Sequence, residues 1–247
     1  MKPVLQASRW RTPVHRPSKQ THLQVLCFPH AGGGASCYRS LPVTEHIQWQ
    51  AVQLPGRENR LRENPAEDMQ AVIPHLVREI TSCLEGPLVL YGHSMGAWMA
   101  YELACQLQGA HKPVLLVVSG SKAPHRPRRP DWHLLPDQEL VERILDLSGT
   151  PSEVFHHPEL RPMLLRTLRA DLKLAETYRC DLRPLDIPLV ALAGHQDPHA
   201  VPDELIHWGP YTRKEFRSLA FPGDHFFNRS IFEDLPALIH SMLPDFT

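Results

Sequence analysis

The stretch Pro87–Gly96, PLVLYGHSMG, constrains this chain more than any other. Leu88, Val89, Leu90 and Tyr91 form a short continuous apolar run, the pattern of a strand buried on both faces. The run enters Gly92-His93-Ser94-Met95-Gly96, a G-x-S-x-G sequence, and continues into Ala97–Ala104, good helix or core material. Strand, tight turn and helix are the context of a nucleophile elbow. Small residues two before and two after the serine let strand and helix approach closely, while the serine sits in a strained turn with its hydroxyl exposed. Ser94 is therefore the candidate nucleophile. A Gly-Ser turn without chemistry is the alternative, and the flanking elements argue against it.

The 247 residues are near the upper size of one domain and ample for a large core. With 21% charged and 42% hydrophobic residues the chain has the balance of a soluble globular protein. A formal charge of −1 gives no bulk attraction to nucleic acid or anionic membrane, so neither is an expected partner. Residues 1–20 are basic and broken by prolines, without the apolar run of a secretory signal, and no later stretch has the apolar length of a membrane span. They are expected to form a flexible N-terminal arm, leaving residues 21–247 as a single domain, monomeric by default. Five cysteines without C-x-x-C spacing fit free thiols in a reducing, cytoplasmic setting.

In chain order, His22–Phe28 reads as a strand feeding Pro29-His30-Ala31-Gly32-Gly33-Gly34. A glycine run after a strand exposes backbone N–H groups, as an oxyanion site requires. A phosphate loop is disfavoured because no Gly-Lys-Ser/Thr follows. Beside an elbow, the expected oxyanion donors are the N–H groups of Ala31 and Met95. Ile47–Leu54 alternates as a strand, and Glu67–Leu84 has helical spacing, with Pro74 predicting a kink or late start. The elbow strand, a helix to about Leu107 and a strand at Val114–Val118 follow. The order β-α-β-α-β-α-β implies a mostly parallel central sheet flanked by helices.

After Ser119 the pattern changes. Residues 123–130, APHRPRRP, read as a solvated linker or as a hinge turning Arg126, Arg128 and Arg129 toward an acidic partner. Helical repeats at Asp137–Leu147 and Pro158–Tyr178 have no strand between them. Residues 123–180 are thus expected to be a helical cap that shapes a cavity, or a rigid decoration. The sheet resumes at Pro188–Ala193, which ends in Gly194-His195-Gln196-Asp197. A short helix at Asp203–Trp208, a final strand at Glu215–Phe221 and a helix at Ile231–Met242 complete the chain.

Ser94, Asp197 and His225 each follow a strand, and catalytic groups gather at the carboxyl ends of strands in such sheets. Their order matches the Ser, Asp, His order of an α/β-hydrolase triad. A serine hydroxyl needs a neutral imidazole to take its proton, and a buried carboxylate to orient that imidazole. His225 is the candidate base and Asp197 the candidate acid. Asp224 is the rival acid, poorly placed to reach the ring next to it, and Asp203 reads as a helix N-cap. Most of the 16 histidines must be bystanders. His93 is expected to point away on its turn, and His195 and His199 to miss Ser94. The HQDPH run and His156-His157 lack a third ligand at metal spacing, so no metal site is expected. Cys27, Cys37, Cys83, Cys105 and Cys180 lack nucleophile context.

The residues from about Leu26 to Phe227 resemble the type II (discrete, editing) thioesterases of polyketide and nonribosomal peptide synthetases. The resemblance is carried by LCFPHAGGGA at 26–35, QLPGRENR at 53–60 and YGHSMGA at 91–97. LRADLKLAETY at 168–178, GHQDP at 194–198 and PGDHFF at 222–227 extend it. It implies an α/β-hydrolase fold with a helical lid inserted after the strand at about 113–118. It also implies a Ser94–Asp197–His225 triad, and Ala31 and Met95 oxyanion donors. The implied substrate is an acyl thioester on the phosphopantetheine arm of an acyl or peptidyl carrier protein, hydrolysed without a cofactor to clear stalled or misprimed chains. The animal medium-chain fatty-acid thioesterase shares the family, so product release is the second implied role. A small-molecule esterase or acyltransferase on the same scaffold is the third reading. Gly34 stands where the family often has Ser, which leaves the backbone donors intact.

Overall fold

A computed structural model describes residues 9–15, 22–83, 86–107, 109–126, 131–147 and 152–243. Its elements in chain order begin with β1 (Arg11–Pro13), β2 (Leu23–Phe28), β3 (Ile47–Val52), α1 (Met69–Cys83), β4 (Leu88–His93), α2 (Met95–Gln106) and β5 (Leu115–Ser119). They continue with α3 (Asp137–Leu145), α4 (Glu153–His156), α5 (Leu160–Thr177), β6 (Leu189–Gly194), β7 (Phe216–Phe221) and α6 (Leu235–Met242). One seven-stranded sheet has the order β1-β3-β2-β4-β5-β6-β7. Every pairing is parallel except β1 with β3.

Strand alternation divides the core. Leu88 and Leu90 of β4 join α1 and α2 on one face, while Val89 and Tyr91 join α6 on the other. All six residues of β4 are buried, as its continuous apolar run requires. Between β5 and β6 the helices α3 to α5 form a small core of their own around Leu140, Ile144, Phe155, Leu165 and Leu168. This is the helical insertion expected after the strand near 113–118, and its helices end close to the predicted limits.

Four expectations are corrected. The flexible arm expected over residues 1–20 contains a strand at Arg11–Pro13, because Thr12 and its neighbours complete the open edge of β3; residues 1–8 and 16–20 lie outside the described residues. The crossover from β2 to β3 holds only a 3-10 turn at Ala35–Tyr38 and no α-helix. The closing helix expected from Ile231 begins only at Leu235, whereas α1, with Pro74 inside it, starts at Met69, a late start as expected. The expected helix at Asp203–Trp208 is a 3-10 segment over Pro202–Tyr211, and Asp203 is in its first turn instead of capping it. Pro210 within that segment lacks the N–H a regular α-helix would use there, while Pro202 at its start interrupts nothing. The hinge arginines Arg128 and Arg129 lie outside the described residues. Among the described residues no helix is long and apolar enough to cross a membrane.

Candidate active site

Ser94 occupies the sharp turn between β4 and α2 with φ 56° and ψ −119°, a left-handed conformation that non-glycine residues rarely adopt. Its amide bonds the Ser119 carbonyl at the end of β5 (2.8 Å). A Cβ on Gly92 would come 2.1 Å from the Gly96 carbonyl oxygen, and one on Gly96 would come 2.1 Å from that of Phe28. The glycines thus permit the close strand–helix contact that exposes the hydroxyl. Met95 opens α2, so its N–H is among those without a partner inside the helix.

The carboxyl ends of β6 and β7 interlock. His195 N–H donates to Phe221 O (2.8 Å), Gln196 N–H to Gly223 O (2.9 Å) and Gly223 N–H to Gln196 Oε1 (2.7 Å). A Cβ on Gly194 would meet Asp224 O at 2.3 Å, so this approach also needs glycine. The result places His225 Nδ1 2.9 Å from Asp197 Oδ2 and His225 Nε2 3.1 Å from Ser94 Oγ. Burial by itself would raise the Asp197 pKa; the hydrogen bond and charge of His225 outweigh it, with the His199 N–H (2.8 Å) adding to them, and hold the carboxyl below its usual range. Asp224 instead accepts from the Phe226 N–H (2.8 Å). Among the described residues no cluster of three His, Cys, Asp or Glu side chains is placed to hold a metal.

His195 is exposed. His199 packs its ring perpendicular to that of His225, with centroids 5.3 Å apart. His93 is fully buried behind the site, with Nδ1 3.0 Å from Ser119 Oγ and its ring 5.2 Å from His225. His30 packs edge-on against Phe226. Burial, reinforced by the nearby His225, lowers the His93 pKa well below its usual value and that of His30 to about 3. Both stay neutral when folded yet take up protons when unfolded near pH 6.5 and below. The unfolded chain then binds more protons, so stability falls as pH falls. The expected slope is about 1.4 kcal/mol per pH unit for each histidine below about pH 6. Urea midpoints at pH 7 and pH 5 measure this, and His93→Gln should remove part of the slope. A midpoint unchanged between the two pH values would contradict a neutral His93 and His30 in the folded chain.

The glycine loop is braced by residues far away in the chain. Asp171 of α5 accepts from the Gly32 N–H (2.7 Å) and pairs with Arg57 through Nη1 to Oδ2 (2.5 Å) and Nη2 to Oδ1 (2.7 Å). Arg57 also donates to Gly33 O (3.0 Å), and Thr167 Oγ1 donates to Gly56 O (2.9 Å). Gln53 Oε1 accepts the Ala35 N–H (2.8 Å). Gly32 has φ 80°, and a Cβ there would strike Leu168 at 2.6 Å. A Cβ on Gly34 would come 2.4 Å from Glu58 Oε1, so the glycine at this position and Glu58 fit one another. The LPGR and RAD segments are therefore structural partners, a role that residue-by-residue reading of the sequence did not assign to Arg57 or Asp171.

A cavity of about 420 Å³ lies above Ser94. It is lined by His30, Ala31, Ser94, Met95, Trp98 and His225 together with Trp132, Ile144, Leu147, Leu172 and Ala175 of the insertion. A serine hydroxyl within hydrogen-bond reach of a histidine, backbone amides beside it and a largely apolar chamber together suit acyl transfer.

A family model described as Thioesterase domain matches residues 23–244. The gramicidin S biosynthesis protein GrsT of Aneurinibacillus migulanus is 35% identical over 230 residues, spanning 91% of this chain and 90% of GrsT. The solved type II thioesterase BorB from the borrelidin biosynthetic cluster superposes with a TM-score of 0.84 at 36% identity, covering 95% of this chain and 97% of BorB. RedJ, a thioesterase from the prodiginine pathway of Streptomyces coelicolor, gives 0.83 at 35% identity over 93% of this chain and 89% of RedJ. With its elbow, its interlocked strand ends and its helical insertion all within the matched region, the chain belongs to the thioesterase family, among the type II thioesterases of the α/β-hydrolase fold.

Proposed function

We propose that Ser94, His225 and Asp197 form the catalytic triad of an enzyme that hydrolyses acyl groups from the phosphopantetheine arm of acyl or peptidyl carrier proteins. It thereby clears stalled or misprimed chains during polyketide or nonribosomal peptide assembly. The observation that carries this reading is the unbroken hydrogen-bonded line from Asp197 through His225 to Ser94 at a largely apolar cavity. Ser94 attacks the thioester carbonyl as His225 Nε2 takes its proton, and Asp197 holds the ring and offsets the imidazolium charge. The N–H groups of Ala31 and Met95 receive the developing oxyanion. The pantetheine thiol leaves with the proton from His225; His225 then takes a proton from water as its oxygen attacks the acyl-Ser94 ester, and returns that proton to Ser94 Oγ as the carboxylic acid leaves. All of these steps use side chains and backbone of this chain, with no cofactor.

The decisive experiment compares one acyl series loaded on a carrier protein and on coenzyme A. Higher kcat/KM on the carrier, with broad tolerance of short acyl groups, is the expected result. A sharp optimum at medium chains would favour product release, and equal rates on both carriers and on simple oxyesters would favour a general esterase.

A further inference from the structure

The cavity is lined from the loops at the strand ends and from α2, which brings Trp98, and from the insertion, whose widest lining side chain, Trp132, comes from a 3-10 turn of three residues, Trp132–Leu134. That turn is entered through Asp131 at φ 61°, an unfavourable conformation for a non-glycine residue. So short a turn holds few bonds of its own. Its described ties run to α5. Glu176 Oε1 accepts the Trp132 N–H (3.0 Å), and Oε2 accepts the His133 N–H (3.3 Å) and meets His133 Nδ1. Arg169 adds a bond from Nη1 to His133 O (2.8 Å). Glu176 thus lines the cavity with both carboxylate oxygens turned to the protein, an arrangement suited to holding the turn. Trp132 in turn packs edge-on against His199, with ring centroids 5.8 Å apart. His199 touches the His225 ring and donates its N–H to Asp197. The wall set by Glu176 therefore stands one ring away from the reacting atoms.

We propose that Glu176 is a positioning residue for acyl selection: it fixes Trp132 as the wall that limits the size of the acyl group reaching Ser94. The inference rests on the assignment of Ser94 and His225 given above. Displacing or shrinking that wall should admit longer or branched chains, leaving the attack geometry at Ser94 in place. A methylene gained or lost in an apolar pocket changes selectivity by about tenfold or more.

The test measures kcat/KM of the wild type, Glu176→Gln, Trp132→Ala and Trp132→Phe on straight-chain acyl-coenzyme A thioesters from two to twelve carbons, with thermal unfolding as a check on folding. Coenzyme A substrates keep the outcome independent of carrier recognition. Expected is a rise of about tenfold or more in the long-to-short ratio for Trp132→Ala. Glu176→Gln should shift the same way and Trp132→Phe less. The Glu176→Gln/Trp132→Ala pair should shift no further than Trp132→Ala alone, because both act through one wall. A uniform loss at every length, or an unshifted profile in Trp132→Ala, would overturn the inference. If Glu176→Gln fails to fold, Glu176→Asp takes its place, and an unshifted profile in the folded Glu176 variant would also overturn the inference. Wild type that hydrolyses neither these thioesters nor the same acyl groups loaded on a carrier protein would instead overturn the triad reading beneath it.

Discussion

Ser94→Ala is expected to lower kcat by roughly 10⁴- to 10⁶-fold, while the thermal midpoint changes little. Removing the nucleophile of such a triad costs about as much as removing the whole triad, because the three groups act as one unit. Asp197→Asn should cost about 10⁴-fold by presenting the wrong tautomer of His225 to the serine. The double variant Ser94→Ala/Asp197→Asn should then be no slower than Ser94→Ala alone. Alanine keeps the Ser94 backbone without the hydroxyl, so folding and cavity shape survive. A fluorophosphonate probe should label the wild type and leave Ser94→Ala unlabelled. Residual hydrolysis within tenfold of the wild type in Ser94→Ala would remove Ser94 as nucleophile.

The second large effect lies outside the triad. Asp171→Ala strands the Arg57 guanidinium, whose side chain is only 6% exposed, and frees the Gly32 N–H. Breaking one side of a buried pair costs about 3–5 kcal/mol. For a domain of this size that corresponds to a fall in Tm of roughly 6–20 °C. Turnover should also fall, because Gly32 adjoins Ala31, the proposed oxyanion donor, and a misplaced donor costs about 10²-fold or more. Replacing both partners by apolar residues, Arg57→Met with Asp171→Leu, should recover much of the stability, since the unpaired charge disappears with its partner. Turnover should stay low, because the bonds from Asp171 to Gly32 and from Arg57 to Gly33 are still missing. Calorimetry and steady-state kinetics on the wild type and these two variants separate these effects. An Asp171→Ala protein melting within a degree or two of the wild type would show that the pair does not brace the loop.

The two predictions divide along what was legible in the chain. The elbow is local: a strand, two glycines and a helix within ten residues leave few conformations open, and the apolar periods name their own elements. The strand ends carrying Ser94, Asp197 and His225 could therefore be read in order, as could the helical insertion between β5 and β6. Most boundaries moved by a residue or two, the start of the last helix by four, and β1 was missed because three residues carry no period and owe their strand to the free edge of β3.

What the sequence by itself determined is the order of the elements, the parallel sheet and the identity of the residues delivered to one end of it, because backbone sterics and hydrophobic period act over short stretches. Only the tertiary structure decided which distant polar groups meet. Arg57 and Asp171 are 114 residues apart, Glu176 and His133 are 43 apart, and each in isolation has the composition of a solvated surface. The same holds for His93, which burial keeps neutral behind the site. A charged or polar side chain gains a buried partner only when packing removes water from both, and that event is a property of the folded assembly of elements.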